Sequence, residues 1–344
     1  MSRLTGERKF RKSDPVSVLL TVLTLFALVM VFVVSMASCS SRVTKGAEKS
    51  GESSSEPKTF ASPAAAGAAL LEAAKSGDEN GLLAIFGADG KEILFSGDSV
   101  KDDNLRKSFV TKYSQMNRWS KNKAGAEILF VGADNYAFPI PLEQKTPGKW
   151  SFNTAAGKDE VLARRIGDGE LTAIGVLTEI ANAQQEYFGQ AHQYAQKIVS
   201  DDGQHNGLYW PAAQGEPSSP LGPLADVAQS LGYSRSDKAQ PFNGYRYRIL
   251  NQQGDTAKSG DKDSTADGDS AGGFAVVAYP ATYKNSGIMT FLVGTDGVVY
   301  QKDLGDKTAE TAAAITDYNP KDGWTVVLTP ESTSPPVGTK TARK

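Results

Sequence analysis

The longest apolar pattern comes first. No charged residue occurs from Val16 to Ser41, and Leu, Val and Phe dominate that stretch. It is long enough for the roughly 20 residues that cross a bilayer. The pattern then switches abruptly. RVTKGAEKSGESSSEPK, residues 42–58, has no apolar surface to bury and reads as a flexible tether. The stretch from Pro330, PESTSPPVGTKTARK, reads the same way. A folded body is therefore expected between about Phe60 and Leu328.

The first half of that body opens with helical spacing. Ser62 and Pro63 predict an N-cap and first turn for AAAGAALLEAAKSGD, which stops near Gly77. A short helix, ENGLLAIF, should end at Gly87, and KEILFSGD reads as a strand. In DDNLRKSFVTKYSQM, Leu105, Phe109 and Tyr113 recur four apart, so one helix face should be buried. AEILFVG, YAFPIPLEQ and KWSFNTA follow as short strands between Gly, Asp and Pro-Gly turns.

The second half repeats the order. The longest helical pattern runs from Asp159 to Ile198, with Leu171, Ile174, Val176, Leu177, Ile180, Ala181 and Gln184 in helix period. Gly167 and Gly169 should break or kink it near its start. A loop rich in Gly and Pro comes next. GYRYRIL, GGFAVVAYP and GIMTFLVGTDGVVYQKDLG then predict four strands, the last two joined at Asp296-Gly297. Helices followed by antiparallel strands, twice over, predict an α+β fold of two helix-plus-sheet subdomains, the second a helix on a four-stranded sheet. The expected organisation is 1–38 export signal or membrane anchor, 39–58 tether, 59–158 first subdomain, 159–329 second subdomain, and 330–344 disordered tail.

Charge gives the apolar run its meaning. Arg3, Arg8, Lys9, Arg11 and Lys12 precede it, opposed only by Glu7 and Asp14. A basic flank, an apolar run and then small residues make an export signal, and the basic side stays cytoplasmic. Residues 1–41 carry +3 against a total of −2, which leaves −5 for residues 42–344. A mildly acidic body has no electrostatic footprint for nucleic acid. Cys39 is the only cysteine. Met36-Ala37-Ser38-Cys39 resembles a bacterial lipobox, which implies acylation of Cys39 and attachment to the membrane. The other reading is an uncleaved apolar helix with an incidental cysteine. A redox role lacks a second thiol to resolve it. Both membrane readings place the body outside the cytoplasm, in the cell envelope and facing the periplasm.

Candidate chemistry is sparse. His192 and His205 are the only histidines, and no G-x-S-x-G elbow accompanies them. His205 with Asp201 or Asp202 is the nearest approach to a base and its orienting acid. Asp159, Glu160 and Glu170 are carboxylates of the type used in glycoside cleavage. Asp261, Asp263, Asp267 and Asp269 gather hard oxygens that suit calcium, without the glutamate that closes an EF-hand. Zinc spacings are absent, and no cofactor motif occurs. The adjacent Arg164 and Arg165 suit either an anion or buried carboxylates and carbonyls. Tyr209 and Trp210 in GLYWP, beside His205, offer a stacking surface for a sugar or partner, or plug the core beneath the loop.

Several segments together resemble a bacterial family known as domain of unknown function 2950. They are SGD (96–98), FPIPL (138–142), RRIGDGELTAI (164–174), NAQQEY (182–187), GLYWP (207–211), SPLGPL (219–224), NGYRYRIL (243–250), GGFAVVAYP (272–280) and DGVVYQKDLG (296–305). The resemblance covers roughly residues 60–328. It implies an exported envelope protein and assigns no catalytic residue. The C-terminal half is also similar to the globular heads of type IV pilins and pseudopilins. It departs from them because the first half of the body separates the apolar run from the helix. The expected role is non-catalytic binding or scaffolding by a lipoprotein of the envelope, with an unidentified envelope partner. An envelope hydrolase and a pilin-like component are the alternatives.

Overall fold

The structure, a computed structural model, describes residues 56–212, 215–234, 240–250, 252–253, 273–321 and 323–328. It is α+β, as the patterning predicts, with seven helices and two antiparallel sheets among the described residues. Its internal contacts divide the chain into two units. The first holds the described residues up to Gly175 together with 222–246 and 284–287. The second holds 176–221, 247–283 and the residues from Ile288 onward.

In the first unit, α1 (Pro63–Ser76) starts where the sequence places it. Ser62 Oγ accepts from Ala65 N at 3.2 Å, and Gly77 closes the helix at φ +68°. Helix α2 (Glu79–Phe86) is capped by Asp78. The expected strand KEILFSGD is instead a five-residue helix, α3 (Gly90–Leu94). The reason is visible in its carbonyls. Those of Glu92, Ile93 and Phe95 accept from the side chains of Arg165 or Asn285, not from a neighbouring strand. Helix α4 (Ser99–Gln115) buries Tyr113, while Leu105 on the same face is 53% exposed.

The strands β1 (Asn117–Lys121), β2 (Glu127–Val131), β3 (Tyr136–Ala137), β4 (Leu142–Thr146) and β5 (Lys149–Phe152) form an antiparallel sheet in the order β1-β2-β4-β5, with β3 on β2. Phe60 joins β5 through paired backbone bonds to Trp150 of 2.7 and 2.8 Å. One core serves helices and sheet together. Phe86, Phe138 and Phe152 meet at its centre, with ring centroids 5.3–6.3 Å apart. Burying such side chains contributes about 2 kcal/mol each.

Helix α5 (Thr154–Ala191) is continuous, so Gly167 and Gly169 do not break it. The expected subdomain boundary after residue 158 falls inside this helix. Gly169 answers a different need. A Cβ there would sit 2.4 Å from the carbonyl oxygen of Ser286, so only glycine lets the two backbones approach. Gly167 has nothing within 4 Å of its missing Cβ. Short α6 (Gly222–Ser230) also belongs to the first unit.

In the second unit, α5 from Val176 onward buries Val176, Leu177, Ile180, Gln184 and Tyr187 in helix period. The buried Gln184 amide bridges Ala195 twice, donating to its carbonyl at 2.8 Å and accepting from its N–H at 2.9 Å. The sheet contains five strands, not four: β6 (Tyr245–Leu250), β8 (Ala275–Pro280), β9 (Met289–Gly294), β10 (Val299–Asp303) and β12 (Thr325–Val326), in the order β12-β10-β9-β8-β6. The extra edge strand is two exposed residues long, too short to leave an alternating pattern. A parallel pair, β7 (Gln252–Gln253) with β11 (Asp317–Tyr318), stands apart. Gly297 turns the β9–β10 hairpin at φ +68°, as Asp296-Gly297 predicts. Helix α7 (Thr308–Ala314) ends where Arg248 donates to the carbonyls of Ala312 and Ile315 at 2.9 and 2.7 Å.

The two helical glycines should respond oppositely to alanine. Gly167→Ala is expected to stabilise by up to about 1 kcal/mol through helix propensity. Gly169→Ala should destabilise by about 1–3 kcal/mol through the clash with Ser286. Urea unfolding of the two variants measures both.

Candidate functional site

The polar interior of the first unit is built around Asp98, which is 1% exposed. Gly97, at φ +90°, turns the chain so that Asp98 becomes the N-cap of α4. Oδ1 accepts from Lys101 N at 3.1 Å. Oδ2 accepts from the Tyr233 hydroxyl and from Gly244 N, both at 2.9 Å. The Tyr233 oxygen in turn accepts from Asn243 N at 3.1 Å. Burial, and the adjacent Asp98 charge, push the Tyr233 phenol well above its ordinary range. Lys101, also buried, pairs with Asp168 of α5 at 2.7 Å and donates to Asn243 O at 3.4 Å. Every charge here has a partner, so this cluster is structural glue.

One turn further along α4 the situation changes. Asp102 is 6% exposed. Its Oδ2 accepts from Ser96 N at 2.9 Å, but its buried Oδ1 has no hydrogen-bond partner. Desolvation drives the carboxyl pKa up. The Ser96 amide and hydroxyl and the field of Arg165 oppose that rise, and Asp98 adds to it. Arg165 is itself buried, and desolvation lowers its pKa against the pull of Asp102 and Glu92. Three of its hydrogen bonds go to other acceptors: the Glu92 and Ile93 carbonyls and Asn285 Oδ1. Arg165 therefore acts on Asp102 through space and leaves Oδ1 unmet.

Asp102 lines a recess of about 140 Å³. Helical spacing builds its walls. Leu70 and Ala74 come from α1, Leu82 and Phe86 from α2, and Asp102, Leu105, Arg106 and Phe109 from one face of α4. Ile93 and Leu94 of α3, with Phe138 and Arg165, complete it. Leu105, largely exposed, stands at the mouth. An apolar pocket holding one unsatisfied buried acid is the arrangement expected of a binding site. A second recess, about 270 Å³, lies in the second unit between Leu292, Ile315, Asp317 and Trp324. Asp317 also has an unpartnered Oδ1 there, but its side chain is only half-buried.

A family model described as protein of unknown function (DUF2950) matches residues 57–327. The chain belongs to this family. No curated protein and no solved structure matches it. Membership in DUF2950 brings no assigned activity.

The sequence-predicted residues of this DUF2950 chain fall as follows. Cys39 and the aspartates Asp261, Asp263, Asp267 and Asp269 lie outside the described residues. Among the described residues no group of three His, Cys, Asp or Glu could hold a metal. Arg164 bonds Glu160 Oε1 at 2.6 Å and the Ala137 carbonyl at 3.0 Å, and stacks over Tyr136. With Arg165 bound to carbonyls, both arginines serve the fold and neither presents a free anion site.

Tyr209 and Trp210 do not form an open stacking surface. They are 6% and 4% exposed. Backbone bonds from Leu208 and Tyr209 to the carbonyls of Lys197 and Ile198 pull the GLYWP loop inward. Trp210 Nε1 donates to Pro217 O at 3.2 Å, and the exposed His205 ring covers Trp210 at 4.4 Å. Asp201 pairs with Lys197 and with Asn206 Nδ2. Asp98 and Asp102 are not among the residues that the sequence singles out as candidates. Their signal is two acids four apart, one at the N-cap of α4 and one on the face that carries Leu105 and Phe109.

Two outcomes follow from this geometry. Asp98→Ala strands the Tyr233 hydroxyl and Gly244 N–H and removes a helix cap, so it should cost roughly 2–4 kcal/mol in chemical denaturation. Asp102→Asn should show a pH signature. The folded-state pKa of Asp102 is raised, so the fold loses stability as pH climbs from its ordinary 3.8 through the raised value. The denaturation midpoint of Asp102→Asn relative to wild type should therefore rise with pH over that window and then level off. A pH-independent difference would contradict this account.

Proposed function

We propose that this chain is a membrane-tethered protein of the bacterial cell envelope whose body binds a ligand or partner and does no chemistry of its own. The observation that carries the binding role is the recess with an unsatisfied buried carboxylate. A site selected only for stability would pair or replace that acid, as the Asp98 cluster does with its own. The tether rests on the sequence: a basic flank, the charge-free run from Val16 to Ser41, Cys39 near its end, and the polar stretch to Lys58. No described helix is long and apolar enough to cross a membrane, and the charge-free run lies outside the described residues. In this reading Cys39 is the acylated junction between export signal and tether, and the body faces the periplasm.

Metabolic labelling with a palmitate analogue tests the junction. The wild-type chain should be labelled and recovered with membranes, and Cys39→Ala should lose the label. Equal labelling of the two would overturn acylation at Cys39.

A further inference from the structure

We propose that one end of the first unit's sheet, where two hairpin turns carry Lys121, Lys123, Lys145 and Lys149, docks on the headgroups of a membrane containing anionic phospholipid. The proposal rests on reading the chain as membrane-tethered, and adds which face of the first unit meets the membrane.

Strand register brings the four lysines together. Strand β1 pairs antiparallel with β2, and Lys121 stands opposite Glu127. Glu127 in turn stands opposite Leu142 of β4, and Leu142 opposite Phe152 of β5. Strand direction alternates at each step, so the β1–β2 turn and the β4–β5 turn leave the sheet at the same end. Lys121 and Lys123 belong to the first turn, Lys145 and Lys149 to the second. Paired strands lie about 5 Å apart. The two turns therefore fall within about two screening lengths, each about 10 Å at 0.1 M salt, and their fields add.

The turns are basic without a counter-charge. All four lysines are exposed, and among the described residues none of them makes an ion pair. No acid occurs in 121–126 or 144–149. Glu127 and Glu143 lie below the turns, and Glu143 accepts from Asn153 Nδ2 at 3.0 Å. Helix α1 reinforces the field. Phe60 bridges Trp150 in antiparallel register, so the chain runs on from Phe60 toward the Lys149 end. Helix α1 begins there at Pro63 with no acid in its first turn, and its N-terminus is the positive end of the helix dipole. The opposite end of the sheet is built differently, because Lys112 is paired with Asp134 in the β2–β3 turn.

The occupant follows from charge and from where the chain leads. Residues 42–344 carry a net −5, so a lysine-only end is a local exception that suits an anionic surface. The tether ends at Lys58, two residues before Phe60 joins β5, and so enters the body beside this end. Lys58 follows Cys39 by 19 residues, at most about 65 Å of chain. Each basic residue near an anionic lipid surface strengthens attachment about fivefold. A tether makes that encounter intramolecular.

The test is lysine acetylation, read residue by residue by mass spectrometry, on the full chain in two kinds of lipid nanodisc. One kind is phosphatidylcholine alone, and the other also contains phosphatidylglycerol. Lys121, Lys123, Lys145 and Lys149 should react about threefold or more slowly in the anionic discs, and about 0.5 M salt should remove the difference. Lys91, exposed on α3, is the internal control and should react equally in both. Lys123→Gln with Lys149→Gln should weaken docking about 25-fold and restore the reactivity of Lys121 and Lys145. Arginine at the same two positions should keep them protected. The comparison of discs and of salt needs no variant, so it decides even if a variant fails to fold. Equal reactivity in the two discs, protection that persists in high salt, or protection that survives the glutamine pair would each overturn the proposal. A chain that enters neither disc retires the tether and the docking with it. A chain that enters both and reacts equally retires the docking alone.

Discussion

Asp98 accepts hydrogen bonds from Lys101 N, the Tyr233 hydroxyl and Gly244 N, and much of the first unit is fixed by that fact. Burying a carboxylate is costly unless hydrogen-bond donors surround it. Here the donors come from two separate stretches of chain, α4 itself and the 222–246 segment. One carboxylate thus caps a helix, seats the 222–246 segment and sets the Asn243-Gly244 turn. Lys101 and Asp168 extend the same network to α5, and Gly169 next to Asp168 allows the 284–287 segment to lie against the helix.

Four residues along α4, the same residue type meets opposite treatment. Asp102 receives one backbone N–H and the field of an arginine that hydrogen-bonds other acceptors. Arg165 bonds the carbonyls of α3, and Asp102 Oδ1 has no hydrogen-bond partner. An unsatisfied acid beside an apolar recess costs stability and suits recognition.

The sequence was most legible where a local rule acts alone. Ser62-Pro63, Gly77 and Asp296-Gly297 mark element ends by backbone chemistry, and the structure has them there. Alternation in the Tyr245–Leu250 strand and the apolar run of Ala275–Pro280 located two strands of the second sheet. Ile93, Leu94 and Phe95 suit a strand, so local pattern alone predicts one for the α3 segment. Its true partners, Arg165 and Asn285, lie far along the chain, beyond any local window. Tyr209 and Trp210 drew attention as aromatic residues in a proline-rich loop, yet their backbone bonds and burial make them part of the core. Asp98 and Asp102 were hidden for the converse reason. An acid in a helix reads as a solvated face unless the tertiary neighbours are known.

The discontinuity of the first unit bears on the order of events at synthesis. Asp98 waits for Gly244, 146 residues downstream, and Phe95 O for Asn285, 190 residues downstream. Closing loops of that length is slow compared with forming a local helix. Synthesis runs from the N-terminus, so the first unit stays unfinished until residue 287 has been made. Late closure of this kind makes the unit fold only when most of the chain is at hand, and its early helices must wait in a partly assembled state.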